Sequence, residues 1–145
     1  MTLNEFSVFF KDFYLLCPNI NNLFFSTNGT NLSPIINFIN ILENTINKEF
    51  KLTIQFSYDG IKNTKNQRKI EPSIITNNIK ELIKYLNTRQ LNNLKIKFEF
   101  HNVIDFSIID YYTKLDTSDE EFLNYLLEFE NLITLFQNLN KNTQV

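Results

Sequence analysis

The chain has 145 residues, enough for one domain around a single hydrophobic core, and its formal net charge is −2, from 14 Lys and Arg against 16 Asp and Glu. Its 1 Cys, Cys17, excludes an internal disulfide and is typical of a reducing cytoplasm. No apolar run approaches the roughly 18 residues of a membrane span, and Glu5 lies where a secretory signal would be positively charged. We therefore expect a cytoplasmic protein that does not insert into a membrane.

Composition and charge are both uneven along the chain. Asparagine makes up about one residue in six, while Gly occurs 2 times and Trp 0 times. These preferences follow AT-rich codons, so we attribute them to an AT-rich genome. Residues 48–97 hold eleven Lys or Arg against four Asp or Glu, and residues 98–145 hold two against nine. Such segregation of positive and negative charge along the chain favours oriented docking between charged protein surfaces. The alternative is that folding brings the two segments together, so that their charges cancel.

The first third of the chain predicts a helix, a strand and a second helix. Thr2 and Glu5 form a capping box ahead of an apolar stripe at helical spacing, and this first helix should end by Pro18. Residues 23–26 form a short apolar run that indicates a strand. The pair Ser33-Pro34 is a typical helix start, because proline suits the first helical position.

Two strands with clean alternation follow, at residues 51–58 and 94–101. The basic stretch 61–69 between them is predicted to be a mobile loop, and a helix should begin between residues 73 and 77. Residues 104–108 are a third candidate strand, which could pair with 94–101 through a tight connection. The last predicted helix covers about residues 118–139 and has an acidic first turn.

This element order predicts the fold class. Helix, strand, helix, strand, helix, strand, strand and helix indicate an α+β fold in which one small antiparallel or mixed sheet packs against about four helices. We treat residues 1–145 as a single domain.

The segment 78–89 resembles a family signature. The TssE family, the lysozyme-like baseplate wedge proteins of type VI secretion and contractile phage tails, carries a helix of the form Ser-Ile-x-x-Asp-Leu-x-x-Leu-Leu-Asn-Thr-Arg. Aligned on the shared Asn-Thr-Arg, the unchanged matches here are Leu82, Leu86, Asn87, Thr88 and Arg89. The stretch 107–111 is similar to the first half of a second family motif. The resemblance covers residues 71–139, whereas residues 1–70 have no clear counterpart.

The resemblance implies a structural, non-catalytic protein that helps to nucleate a contractile sheath. Its partners would be the other baseplate wedge subunits and the sheath protein. Family members offer strands to the sheath, and an exposed strand edge supplies unpaired backbone N–H and C=O groups for such docking. The alternating strands 51–58 and 94–101 suit that role.

Two groups of residues are candidate partner contacts. The resemblance indicates Asn87, Thr88, Arg89, Ser107 and Tyr111. For the first three, the alternative is that they simply cap a helix. The second group is a basic segment that fits an acidic protein surface better than nucleic acid, given the acidic overall charge: Lys62, Lys65, Arg68 and Lys69.

The sequence predicts no catalytic, metal or cofactor site and no small-molecule substrate. His101 is the single histidine, which excludes a histidine metal cluster. The sequence contains only 2 glycines, so it has no glycine-rich loop of the kind that binds phosphate. The acidic residues between 105 and 121 match no calcium loop and better fit a solvated helix cap, although a hydrolase that uses Asp110 or Glu120 stays an alternative. Another alternative is a small binding protein, such as a toxin-neutralising immunity protein or a phage inhibitor.

Overall fold

The computed structural model of the chain describes residues 1–102, 119–137 and 143–144. Five helices occur in these ranges: α1 (Leu3–Leu16), α2 (Ser33–Thr45), α3 (Ile61–Arg68), α4 (Pro72–Asn87) and α5 (Asp119–Gln137). The strands are β1 (Asn22–Thr27), β2 (Phe50–Ser57), β3 (Leu94–His101) and the two-residue β4 (Thr143–Gln144).

The sheet is parallel throughout its described strands. Its order is β1-β2-β3-β4, and each neighbouring pair runs in the same direction. The predicted antiparallel or mixed sheet is therefore wrong. The reason lies in the connections: α2 joins β1 to β2, and α3 with α4 joins β2 to β3, so each crossover returns the chain to the same end of the sheet.

The alternation in β2 and β3 reports a sheet with one apolar face. The strand register places Phe25, Ile54 and Phe98 in one row and Phe24, Thr53 and Lys97 in the next. The first row faces the core and the second faces away from it. Such alternation is common in antiparallel sheets that have one solvent-exposed face, whereas parallel sheets are usually covered by helices on both faces. Here a parallel sheet shows the antiparallel pattern, because the described helices pack on one face.

Aromatic rings from three helices contact that apolar face. Phe38 of α2 lies 6.1 Å from the ring of Phe25, and Phe10 of α1 lies 6.1 Å from the ring of Phe50. Phe129 of α5 approaches Phe100 at 6.4 Å. The resulting core includes the fully buried Leu52, Ile54, Ile79, Leu82 and Ile96. Burying side chains of this size stabilises the fold by roughly 1.5–3 kcal/mol each.

Local signals in the first half of the sequence are confirmed. Thr2 and Glu5 form the capping box: the Thr2 N–H donates to Glu5 Oε2 at 2.6 Å, and the Glu5 N–H donates to Thr2 Oγ1 at 3.3 Å. Helix α1 ends at Leu16, before Pro18, and α2 starts at Ser33 with proline in its first turn.

From residue 61 onward, the helices depart from the prediction at two places. The expected mobile loop at 61–69 is wrong, because residues 61–68 form α3, and α4 starts at Pro72 rather than between 73 and 77. The predicted helix at 118–139 is found as Asp119–Gln137. The candidate strand at 104–108 lies outside the described residues.

Candidate interaction surface

The Asn-Thr-Arg end of α4 is a helix cap. Asn87 is the last helical residue, and the Thr88 hydroxyl donates to the Tyr85 carbonyl oxygen at 2.8 Å. The Arg89 N–H donates to the Leu86 carbonyl oxygen at 3.1 Å. These bonds satisfy carbonyls that the end of a helix leaves without partners.

The Arg89 side chain joins α4 to α2. Its Nε and Nη2 donate to Glu43 Oε2 at 3.0 Å and 2.7 Å, and its Cζ lies 4.9 Å from the centre of the Tyr85 ring. These hydrogen bonds to Glu43 raise the pKa of Arg89 above its ordinary value. Tyr85 in turn donates to Asn40 of α2. Arg89 is thus engaged within the molecule, which the sequence did not indicate because Glu43 lies 46 residues away.

The basic segment does not form one outward patch. Arg68 donates through Nε and Nη2 to the carboxylate of Asp59, whose side chain is 2% exposed. Lys65 pairs with Glu71 at 3.5 Å, and both side chains are exposed. Lys69 is an exposed, left-handed C-cap of α3 with φ 57°. The Lys62 side chain, Ser107 and Tyr111 lie outside what the structure describes.

The Asp59–Arg68 pair belongs to a closed polar cluster where β2 ends. The Asp59 N–H donates to the buried Thr64 Oγ1 at 3.1 Å. Glu128 of α5 accepts the Ile61 N–H at 2.8 Å, which supplies negative charge to the N-terminus of α3. Burial raises the pKa of Glu128 and of Tyr58, and Glu128 adds to the shift at Tyr58. No local pattern in the sequence indicates this cluster, although Gly60, three residues after the end of β2, signals a special turn.

The cluster links the end of β2 to α3 and to α5. Its carboxylates accept from Arg68 and Ile61. In the described ranges, no three His, Cys, Asp or Glu side chains converge on a metal-sized space. The described strands also follow chain order without reversal, so this part of the sheet lacks the switch point at which doubly wound sheets bind ligands.

Strand β1 forms one edge of the sheet in the part of the chain that the structure describes. Among the described strands, β1 pairs with β2 alone. The Lys51 N–H donates to the Asn21 carbonyl oxygen at 2.8 Å. In a parallel pair of strands, every second residue points both its N–H and its C=O group at the neighbouring strand. Because Asn21 bonds to Lys51, the residues of β1 that bond to β2 are the odd-numbered ones. Asn22, Phe24 and Ser26 therefore direct their N–H and C=O groups away from β2, to the open edge.

Apolar surface lies beside this edge. Phe24 is 56% exposed and Met1 is 89% exposed. Between the start of α1 and β1 lies a groove of about 310 Å³, lined mainly by Met1, Leu3, Phe6, Leu23, Phe25 and Phe38. A second hollow of about 450 Å³ continues along β1 toward the loop at 28–34. An extended segment placed on the edge would cover both.

Of the two strands expected to dock a partner, one lies inside the sheet, and the docking role of the other, residues 94–101, stays a prediction. Strand β2 lies between β1 and β3, so residues 51–58 have no open edge for docking, and that interpretation is wrong. Strand β3 is bordered by β2 and, at Ile96 and Lys97, by β4. The sequence carries no charge that marks β1 as an edge strand, because residues 13–42, which include all of β1, contain no charged side chain.

Comparison with known protein families, curated proteins and solved structures gave no match. Across the described ranges, every helix is too short or too polar to cross a membrane. What the protein does is therefore inferred from its own geometry, and the edge of β1 is the surface on which that inference rests.

Proposed function

We propose that this protein is a non-catalytic, cytoplasmic component of a protein assembly, and that its partner docks as an extended strand along β1. The observation that supports this proposal is the outward row of backbone groups at Asn22, Phe24 and Ser26, next to an apolar groove. Strand addition satisfies such groups with main-chain hydrogen bonds, and pockets for alternate side chains supply specificity.

The docked strand would present its side chains in two directions. Alternate residues point to opposite faces of a sheet, so half of them would lie over the groove beside Leu3 and Phe6. The other half would lie on the polar face beside Phe24, where Ser26 and Gln55 already share a hydrogen bond of 2.9 Å. A partner with an alternating apolar and polar strand fits this surface.

The assembly that the resemblance suggests is a contractile baseplate, with other wedge subunits and the sheath protein as partners. Helix α4 carries most of the resembling residues and ends at Asn87, and Thr88 and Arg89 follow it directly. Because Arg89 is engaged with Glu43, we move the proposed contact from the Asn-Thr-Arg turn to β1. The basic residues Lys65 and Lys69 stay exposed for secondary contacts with an acidic surface.

Photo-crosslinking in the native cell tests this function. A photo-reactive phenylalanine analogue at position 24 is compared with the same analogue in place of Val8, a residue of α1 that is 84% exposed. We expect a specific crosslinked protein from position 24 and none from position 8. Ser26→Pro removes an outward N–H while sparing the ladder to β2, so it should abolish the crosslink, whereas Ser26→Ala keeps the N–H and should preserve it.

The crosslinked protein identifies the assembly. Sheath or baseplate subunits would support the wedge interpretation, a single toxin would support the immunity-protein alternative, and a second copy of this chain would show that the docked strand is its own. If position 24 yields no crosslink, or if Ser26→Pro leaves the crosslink unchanged, docking by strand addition at β1 is refuted.

A further inference from the structure

Resting on the proposed function, we infer that the strand that docks on β1 is the β1 strand of a second copy of this chain. The two strands run antiparallel about a two-fold axis at Phe24. This arrangement makes the contact isologous, with the same surface on both subunits. It joins the two sheets into one.

The backbone pattern of β1 suits this axis. An antiparallel pair contains residues that exchange both N–H and C=O bonds, alternating with residues that exchange none. With the axis at Phe24, the Phe24 residues of the two copies exchange hydrogen bonds, and Asn22 of each copy does so with Ser26 of the other. These are the three residues whose backbone groups point away from β2. Leu23 and Phe25 become the non-bonded pair, as their bonds to β2 require.

The side chains of the polar face are self-complementary in this register. The Asn22 amide of one copy lies opposite the Ser26 hydroxyl of the other. Ser26 donates its proton to Gln55 Oε1 at 2.9 Å, and its oxygen keeps lone pairs that can accept from an amide N–H. Phe24, 56% exposed in one copy, meets the Phe24 of the other, an aromatic cross-strand pair.

The side chains toward the helices are complementary as well. Leu23 of one copy lies opposite Phe25 of the other, and both are partly buried at the rim of the groove. Pairing the edges brings the two grooves together, with Met1 and Phe6 of each copy on the same side of the joined sheet. The exposed apolar side chains of Met1 and Phe24 would then lie at the contact.

The absence of charge favours a second copy over a charged partner. Residues 13–42 contain no Lys, Arg, His, Asp or Glu, so β1 offers no charge to a charged strand. Two copies with a formal charge of −2 each meet here without like charges at the contact. Monomeric proteins commonly protect an edge strand with charged residues or proline, and β1 has neither.

Sedimentation equilibrium of the full-length chain, from micromolar to millimolar concentration, tests the pairing. We expect a monomer–dimer equilibrium for the natural chain. Phe24→Lys places two ammonium groups together at the axis and should raise the dimer dissociation constant about 30-fold or more. Val8→Lys, an equal change at another exposed apolar position, should leave the constant within about 2-fold. Circular dichroism of both variants checks that the fold is retained.

Amide exchange provides a measurement on the natural chain itself. In a dilute sample, the N–H groups of Phe24 and Ser26 should exchange fast while those of Leu23 and Phe25, bonded to β2, stay protected. In a concentrated sample all four should be protected. This readout needs no variant and reports on the pairing of β1 directly.

The inference is overturned by a chain that stays monomeric throughout, or by a dimer in which Phe24 and Ser26 exchange fast or Phe24→Lys has no effect. The chain could stay monomeric and still give a crosslink from position 24 that Ser26→Pro abolishes. That result would overturn pairing with a second copy and would support strand docking by another protein. A monomer without that crosslink overturns both.

Discussion

Gly60 sets the direction of the chain between β2 and α3. Its φ of 84° and ψ of 164° lie in a region that only glycine adopts readily. A Cβ built at this position would lie 2.9 Å from Tyr125 Cε2 and 3.2 Å from Glu128 Oε2. Backbone conformation and space therefore both require glycine where α5 contacts the start of α3.

We predict that Gly60→Ala lowers the free energy of unfolding by about 2–4 kcal/mol, from backbone strain together with crowding against Tyr125. Urea denaturation of the natural chain and the variant measures this difference. Asn66→Ala, an exposed change within α3, is the control and should shift the value by no more than about 0.5 kcal/mol. Equal stability of Gly60→Ala and the natural chain would contradict the conformation described for residue 60.

At the scale of single residues, the sequence predicted those contacts whose partners are near in the chain. The capping box at Thr2 and Glu5 depends on residues 3 apart. The partners of Arg89 and Ile61 lie 46 and 67 residues away, and no local pattern encodes them. Arg89 was assigned to a candidate partner contact for that reason: its motif was visible, and Glu43 was not.

Helices α2 and α4 are held together by the pair Arg89–Glu43 as well as by their apolar faces. We predict that Arg89→Gln lowers the free energy of unfolding by about 1 kcal/mol, because the pair is partly exposed and screened by solvent. A double-mutant cycle with Glu43→Gln should give a coupling of about 0.5–1 kcal/mol. Lys84→Gln, an exposed change on α4, is the control.

A coupling near zero would mean that the pair does not stabilise the packing of α4 on α2. The size of the effect also matters for interaction experiments. Arg89→Glu would place a second carboxylate beside Glu43 and destabilise the protein. A lost interaction in that variant would therefore not by itself locate a contact at Arg89.

Helix α5 is linked to α3 through a carboxylate whose ionisation is opposed by burial. Because the pKa of Glu128 is raised above its ordinary value of 4.5, the folded protein binds this proton more tightly than the unfolded chain does. Between the ordinary and the raised pKa, the contribution of Glu128 to stability therefore falls as the pH rises. Glu128→Gln keeps an oxygen that can accept the Ile61 N–H and removes the ionisation.

We predict that Glu128→Gln becomes more stable relative to the natural chain as the pH increases through that window, and that the difference levels off above it. Urea denaturation of both proteins from pH 4 to 8 measures this difference, and using the difference removes the titration of the other carboxylates. A constant difference, or one of opposite slope, would contradict a raised pKa at Glu128.

At the scale of elements, the presence of each helix and strand was easier to predict than the way in which the strands pair. Periodicity located α1, α2, α4, β2 and β3, because each buries one face against the core. It failed for α3, whose residues 61–68 are nearly all polar and have no apolar stripe. The direction of the strands was predicted from the order of the elements, and the alternation within each strand reports only which face is buried. The helices between the strands were the better evidence for a parallel sheet.

For the whole molecule, the sheet order predicts a gradient of stability. Strand β2 is bonded on both sides and its apolar face is fully covered, so its amides open only when the protein unfolds. Helix α3 is short and polar and opens locally. We predict that amides at Leu52 to Phe56 are protected at least about 100-fold more than those of α3. Native-state amide exchange by NMR measures both, and equal protection would contradict this gradient.

The start of α3 also bears on how the chain folds as it is made. The helix has no side-chain cap of its own, and the carboxylate that accepts its first N–H lies 67 residues further along the chain. At about 5–20 residues per second, that carboxylate is synthesised several seconds after Ile61. Strands β1 and β2 with α1 and α2 lie before Gly60 and can assemble meanwhile. The contact between Glu128 and the start of α3 therefore forms only after α5 has left the ribosome.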